Sequence, residues 1–285
     1  MTEKIALITD TVANLPQDYV EENSIYVISL YVVIDDCYYK DGTEINSNEI
    51  HEKNQANPNF TSKSASPSPG DFSEIFKTIK NDGYDKAIFI GMGSKLSSTI
   101  ANASVAEKYG LEVHIIDSLT VTILEGMLVI YANDLLKAGY SLDETVTKVK
   151  KAAGNSIAYG WVDTLKYLKA GGRLGKAASK ASSLLNLKPF LSINGKGDFD
   201  LYKLKSSREK SYPEVEKKIR EEIFPGDKYY MAYMYGSDKS ILDPIKSELT
   251  DIEDKAIDII EVQAGPVVAV HVGTKVYAVA YLKVD

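Results

Sequence analysis

One cysteine and three histidines in 285 residues leave little material for several kinds of chemistry. Cys37 cannot form an internal disulfide, which fits a reducing compartment, and it reads as a partly buried strand residue. His51, His114 and His271 lie far apart without metal spacing, so no zinc site is expected. Basic residues are outnumbered, with 33 Lys and Arg against 40 Asp and Glu and a net charge of -7, which argues against a dedicated nucleic-acid binder. No window reaches the ~18 consecutive apolar residues of a membrane span, and MTEKIALITD lacks a secretory pattern. A soluble, cytoplasmic protein is expected. The chain also lacks G-x-S-x-G, G-x-x-x-x-G-K-[ST] and G-x-G-x-x-G.

What is present alternates. Lys4 to Thr9 reads as a buried strand, followed by a short helix from near Gln17 and a β-rich run from Tyr26 to Ile34. Asn54 to Gly70 is polar and proline-dotted and reads as a long loop before a helix over Asp71 to Asn81. A strand over Lys86 to Ile90, a helix over Ser97 to Tyr109 and a strand over Glu112 to Ile116 follow. Strand–helix alternation of this kind predicts a parallel sheet covered on both faces. Thr120 to Ala138 is apolar all round and reads as a buried helix, and Ser141 with Glu144 forms a capping-box pattern for the next one. Gly154 is a plausible boundary between an N-terminal α/β domain, 1–154, and an α+β domain, 155–285, with antiparallel strands. The latter shows a turn at Asn194 to Asp198 and a terminal hairpin of Val267 to Val272 with Lys275 to Val284, placing His271 in a strand.

Hydroxyl residues collect where the strands of the first half end. Thr9 and Thr11, then Ser62, Ser64, Ser66 and Ser68, then Ser94, Ser97, Ser98 and Thr99, then Ser118 and Thr120 all fall at strand ends or helix starts. In a parallel sheet these share the edge at which open α/β sheets bind ligands. A rim rich in neutral hydroxyls and poor in lysine suits a small anionic head such as a carboxylate. The alternative is that each serine is an ordinary cap or turn residue.

Several ordered motifs now resemble those of the DegV family, bacterial fatty-acid-binding proteins that include the binding subunits of fatty acid kinase. ITDTVANLP (Ile8 to Pro16) is similar to I-T-D-S-x-A-x-L-P, and SPSPGDF (Ser66 to Phe72) to the end of T-S-Q-P-S-P-x-x-F. GSKLSST (Gly93 to Thr99) is similar to S-S-x-L-S-G-T, IIDSLTV (Ile115 to Val121) to V-I-D-S-x-x-V, and GGRLGKA (Gly171 to Ala177) to G-G-R-I. The likeness continues through LLNLKPFLSINGKGDF (Leu184 to Phe199) to His271 and Gly273. Departures are Ser64, Ala65 and Ser66 in place of T-S-Q, Ser98 in place of a glycine, and Gly273, Thr274 and Lys275 in place of G-P-G.

The resemblance implies two α/β domains with a long acyl chain buried between them and no cofactor. It carries the carboxylate-binding role onto Ser64, Ser94, Ser97 and His271, and a kinase-facing or acyl-phosphate contact onto Arg173. It implies a non-catalytic protein that presents a long-chain fatty acid to a fatty acid kinase, for acyl-phosphate formation and phospholipid synthesis, with transient exchange of lipid with membranes. Candidate walls are the apolar residues of Ile123 to Leu136, Leu184 to Leu191 and Ile259 to Val270, each of which also reads as plain core. The competing readings are a phosphate-handling enzyme related to dihydroxyacetone kinases, using Asp10 and Asp117 for a metal, and a regulatory binder of another apolar carboxylate.

Overall fold

The computed structural model describes residues 4–57, 60–174, 188–197, 199–205 and 207–285. In chain order its first half runs β1 (Ile5–Asp10), α1 (Gln17–Glu22), β2 (Tyr26–Ile28), β3 (Tyr31–Ile34), β4 (Cys37–Lys40), α2 (Ser47–Ala56), β5 (Lys63–Ala65), α3 (Pro69–Asn81), β6 (Lys86–Gly91), α4 (Thr99–Val105), β7 (Glu112–Asp117), α5 (Ile123–Lys137) and α6 (Leu142–Ala153). Then follow β8 (Ser156–Val162), α7 (Lys166–Ala170), β9 (Lys188–Asn194), β10 (Phe199–Lys205), α8 (Tyr212–Glu222), β11 (Lys228–Tyr235), α9 (Asp243–Glu253), β12 (Ile259–Gln263), α10 (Pro266–Val272) and β13 (Val276–Val284).

Three sheets result. A parallel one has the order β2-β1-β6-β7, a small antiparallel one β4-β3-β5, and a six-stranded one β10-β9-β8-β13-β11-β12. The last is antiparallel except where β11 and β12 run together. This is the α/β class read from the sequence.

Period-two alternation explains why the strands look apolar throughout. On β1 and β6, Leu7, Ile88 and Ile90 face the interior between the sheets, while Ile8, Ala87 and Phe89 pack under α3 and α4. On β11, Tyr230, Ala232 and Met234 face inward, and Tyr229, Met231 and Tyr233 join a tyrosine-rich layer with α8 and α9. Helix α5 packs against β1 and β6 on one side and β8, β11 and β13 on the other. That sandwiched position explains its all-round hydrophobicity. Gly126 lets it approach the turn after β1, since a Cβ there would sit 2.5 Å from the Ala13 carbonyl oxygen. The capping box of α6 is complete, with Ser141 and Glu144 each bonding the other's backbone N–H.

Some expectations are corrected. Val267 to Val272, with His271, is helix α10 and not a strand: Gly265 caps it in extended conformation and Pro266 supplies the fixed φ of a first turn. A short run buried on every side carries no period that separates helix from strand. The strand expected to pair with it, β13, lies between β8 and β11 instead. Within the supposed loop of 54–70, Lys63–Ala65 is a strand paired with β3. The run Tyr26 to Ile34 divides between two sheets. Cys37 lies in a strand but is exposed. The helix expected over Ser97 to Tyr109 is confined to Thr99–Val105.

Candidate functional site

The cross-strand register of the six-stranded sheet creates a groove. One row reads Leu191, Gly160, Ala278 and Met234 across β9, β8, β13 and β11, so two small residues stand between two large ones. The next row places Ala158 beside Ala280. Residues i and i+2 share a face, so the small pairs line up along β8 and β13, beginning from Val162 and Val276. Over this groove lies an apolar cavity, open on one side, whose opposite walls are Val12, Met92, Leu96 and Val121. Val267, Val268 and Val272 of α10 close one side. Its apolar lining is that of small-molecule sites.

Of the candidate walls, α10 and Leu191 line this cavity, whereas Ile123 to Leu136 do not. Those residues are filled core, because α5 occupies the space between the sheets beside the cavity. Leu184 to Leu187 lie outside the described residues, as do Gly175, Lys176 and Ala177 of the glycine-rich motif.

Polar groups gather at the end of the groove nearest Val162 and Val276. His271 and Arg173 both line the cavity. Ser64 Oγ lies 2.8 Å from His271 Nε2, tying β5 to α10. His271 Nδ1 is buried against Gly171 and has no hydrogen-bond partner among the described residues. Burial, and then the nearby Arg173 charge, push the imidazole down to about 4, so it is neutral at pH 7. Arg173 donates from Nε to the Leu96 carbonyl at 3.1 Å and from Nη1 to the Gly171 carbonyl at 2.6 Å. It has no carboxylate partner among the described residues.

The paired glycines before Arg173 serve this arrangement. Gly172 adopts φ +70°, and a Cβ on Gly171 would fall 2.3 Å from His271 Nδ1. Gly171→Ala is therefore expected to cost about 2 kcal/mol or more of stability and to displace the imidazole, measurable by denaturant unfolding and the His271 ring resonances.

The other predicted residues divide. Ser97 belongs to a hydroxyl chain, 2.9 Å from Ser66 Oγ and 2.7 Å from Thr99 Oγ1, with Ser98 donating to Ser66 at 2.9 Å. The chain adjoins Arg173 and His271 through sequence neighbours, Leu96 beside Ser97 and Ser64 two positions before Ser66. Ser94 is exposed, and its backbone N–H bonds Asp117. The structure thus brings Ser64, His271 and Arg173 together, sets Ser97 beside them, and leaves the Ser94 side chain apart. Ser94→Ala is expected to leave ligand affinity within about two-fold, whereas Ser64→Ala, which orphans a buried ring nitrogen, should weaken it about five- to ten-fold; isothermal titration reads both.

Asp10 and Asp117, the candidate metal pair, both serve as acceptors of backbone N–H groups. Asp10 accepts from Val12 N at 2.9 Å and Met92 N at 3.0 Å, and Asp117 accepts from Ser94 and Leu119 N–H groups. Among the described residues no group of three His, Cys, Asp or Glu is placed to hold a metal ion. No helix of the described residues is long and apolar enough to cross a membrane.

Sequence reasoning missed Gly160 and Ala278 as cavity formers, and the Leu96 carbonyl that holds Arg173. Small residues at alternate strand positions were the available signal.

A parallel α/β sheet facing a mixed sheet, with an apolar cavity that carries a cationic and imidazole corner, defines the structural class. The chain belongs to the DegV family: the model of that family, described as "Uncharacterised protein, DegV family", matches residues 4–284. A DegV domain-containing protein of Listeria monocytogenes is 36% identical over 198 residues, covering 69% of this chain and 70% of that one. Among solved structures, a DegV family protein of Thermus thermophilus described by its fatty acid binding is 26% identical, with a TM-score of 0.91 over 99% of this chain and 100% of that one. A stearic acid-binding protein of Eubacterium ventriosum shares the fold at 22% identity, with a TM-score of 0.89 over 98% of each chain.

Proposed function

We propose that this chain is a cytoplasmic carrier of one long-chain fatty acid, held between an N-terminal domain, 1–154, and a C-terminal domain, 155–285. The acyl chain lies along the Gly160–Ala278 groove and the carboxylate meets Arg173 and the Ser64–His271 pair, with Ser97 adjacent. The observation that carries this reading is the joining of an apolar cavity to a guanidinium whose acceptors among the described residues are neutral carbonyls. A cation so placed favours an anionic ligand head.

Energetics agree. Some fifteen methylenes at ~0.8 kcal/mol each offer on the order of 12 kcal/mol of transfer free energy. Association and chain ordering take back a large part, and the remainder suffices for tight binding. The Arg173 corner is also where a kinase would reach the carboxylate to form an acyl phosphate, so the chain is read as the non-catalytic partner of such an enzyme.

Native mass spectrometry of the purified protein tests the reading. A non-covalent adduct of fatty-acid mass at one per chain is expected. Protein that is empty as purified and takes up no added sixteen- or eighteen-carbon acid would contradict it.

A further inference from the structure

The loop between β7 and α5 carries two local costs that the surrounding fold holds in place. Thr122, the residue before α5, has φ +62° and ψ −144°, a backbone conformation that glycine adopts freely and a β-branched residue does not. Its hydroxyl does not cap the helix, so no side-chain bond there offsets the conformation. Two positions earlier, Thr120 is fully buried, and its Oγ1 has no hydrogen-bond partner among the described residues. A buried hydroxyl left unpaired opposes the packing that buries it.

A backbone relay holds the loop against both. The Thr120 carbonyl accepts the Gly93 N–H at 2.7 Å, the Gly93 carbonyl accepts the Leu96 N–H at 2.9 Å, and the Leu96 carbonyl accepts from Arg173 Nε at 3.1 Å. On the other side, the Thr122 carbonyl accepts the Gly126 N–H at 3.1 Å, which starts α5. Val121 and Thr122 span the gap between these fixed points, and both line the apolar cavity, as do Leu96 and Arg173. The two loops can touch because residue 93 is glycine: a Cβ there would lie 2.9 Å from the Thr120 nitrogen and 3.0 Å from its carbonyl oxygen. One run of main chain thus joins a wall of the cavity to the guanidinium at its corner.

We propose that Thr122 is a positioning residue for the acyl cavity, and that its strained backbone, with the unpaired Thr120 hydroxyl, sets how readily that cavity opens. The inference rests on the cavity being the acyl site described above. When the loop withdraws, Thr122 returns to an ordinary conformation and Thr120 reaches water, so the closed form alone bears both costs. Withdrawal takes Val121 and Thr122 out of the wall and breaks the Thr120–Gly93 bond that braces Leu96. Arg173 is loosened in the same step. Tail and head are released together, which suits a carrier that hands its ligand on.

Hydrogen exchange of the ligand-free protein, under conditions where it reports the opening equilibrium, tests this without any ligand. Thr122→Gly fits the same backbone without strain, and Thr120→Val removes the unpaired hydroxyl. In each variant the amides of 93–97 and 119–126 should exchange about five-fold more slowly than in the native protein. Thr122→Val keeps the β-branched carbon and the strain, and its exchange should stay at the native level. Dissociation of a sixteen-carbon acid and of its methyl ester should slow by the same factor as exchange in Thr122→Gly and Thr120→Val, which a merely structural strain would not produce. Gly93→Ala, which forces the loops apart, should speed exchange of both segments and cost the acid at least about five-fold more affinity than the ester, because Arg173 loses its brace.

Native exchange in both Thr122→Gly and Thr120→Val overturns the inference, as does slower exchange with release of acid and ester unchanged. Should Thr120→Val fail to fold, Thr122→Gly alone decides. If neither acid nor ester binds, the acyl reading falls while the exchange data still decide whether the loop is strained shut.

Discussion

Arg173→Ala is expected to weaken binding of a sixteen-carbon fatty acid by about 30- to 100-fold, because the buried carboxylate loses a charge-assisted partner. The methyl ester, which has no charge to lose, should weaken by less than about three-fold. This outcome differs from what the family resemblance alone suggests, since a purely kinase-facing arginine would spare the ligand. Position supports the proposed ligand contact: the side chain lines the cavity and is braced by the Leu96 and Gly171 carbonyls. Arg173→Lys keeps the charge but cannot reproduce a fork held at two carbonyls, and an intermediate loss is expected. Equal losses for acid and ester would mean that Arg173 shapes the wall without reading charge. Isothermal titration with the matched pair separates the cases.

Ala278→Phe should be the most damaging substitution for the chain itself. Ala278 sits beside Gly160, with Leu191 and Met234 flanking the pair, so a phenyl ring there fills the groove. Excluding even four methylenes forfeits ~3 kcal/mol, so affinity for the sixteen-carbon acid is expected to fall by at least about 100-fold. The ligand-free protein should keep or slightly raise its thermal midpoint, because the ring occupies space that is otherwise empty. A large fall in that midpoint, with binding unchanged, would place the groove outside the ligand site. Comparing melting curves and titrations of the same sample distinguishes the two.

Local signals were legible where one element decided its own form. The strand–helix alternation from Lys4 to Ile116, the Ser141–Glu144 box and, of the turn expected at Asn194 to Asp198, its described part up to Gly197 all rest on residues a few positions apart, and each is present. His271 was legible as a site candidate but not as a helical residue, because the run around it is buried on every face. The groove was not legible at all. Its small residues gain their meaning from a register that joins strands 118 residues apart, Gly160 and Ala278, and the same alternation would serve an ordinary core. Ser94 illustrates the opposite error: a hydroxyl in a motif of hydroxyls, it is turned to solvent while its backbone does the structural task. Asp10 was read as a cap or a metal ligand, and it is the former, spread over two segments.

The proposed pose puts the carboxylate at the Arg173 end and the methyl end toward Ala158, ~13 Å along β8 from Val162. A crystal structure of the complex with a sixteen-carbon acid carrying a terminal bromine tests this directly, because anomalous scattering locates the tail without assuming a pose. The account predicts bromine between β8 and β13 near Ala158, with the carboxylate within hydrogen-bonding distance of Arg173 and the Ser64–His271 pair. Bromine at the Arg173 end, or none within the cavity while the acid is bound elsewhere, would contradict it.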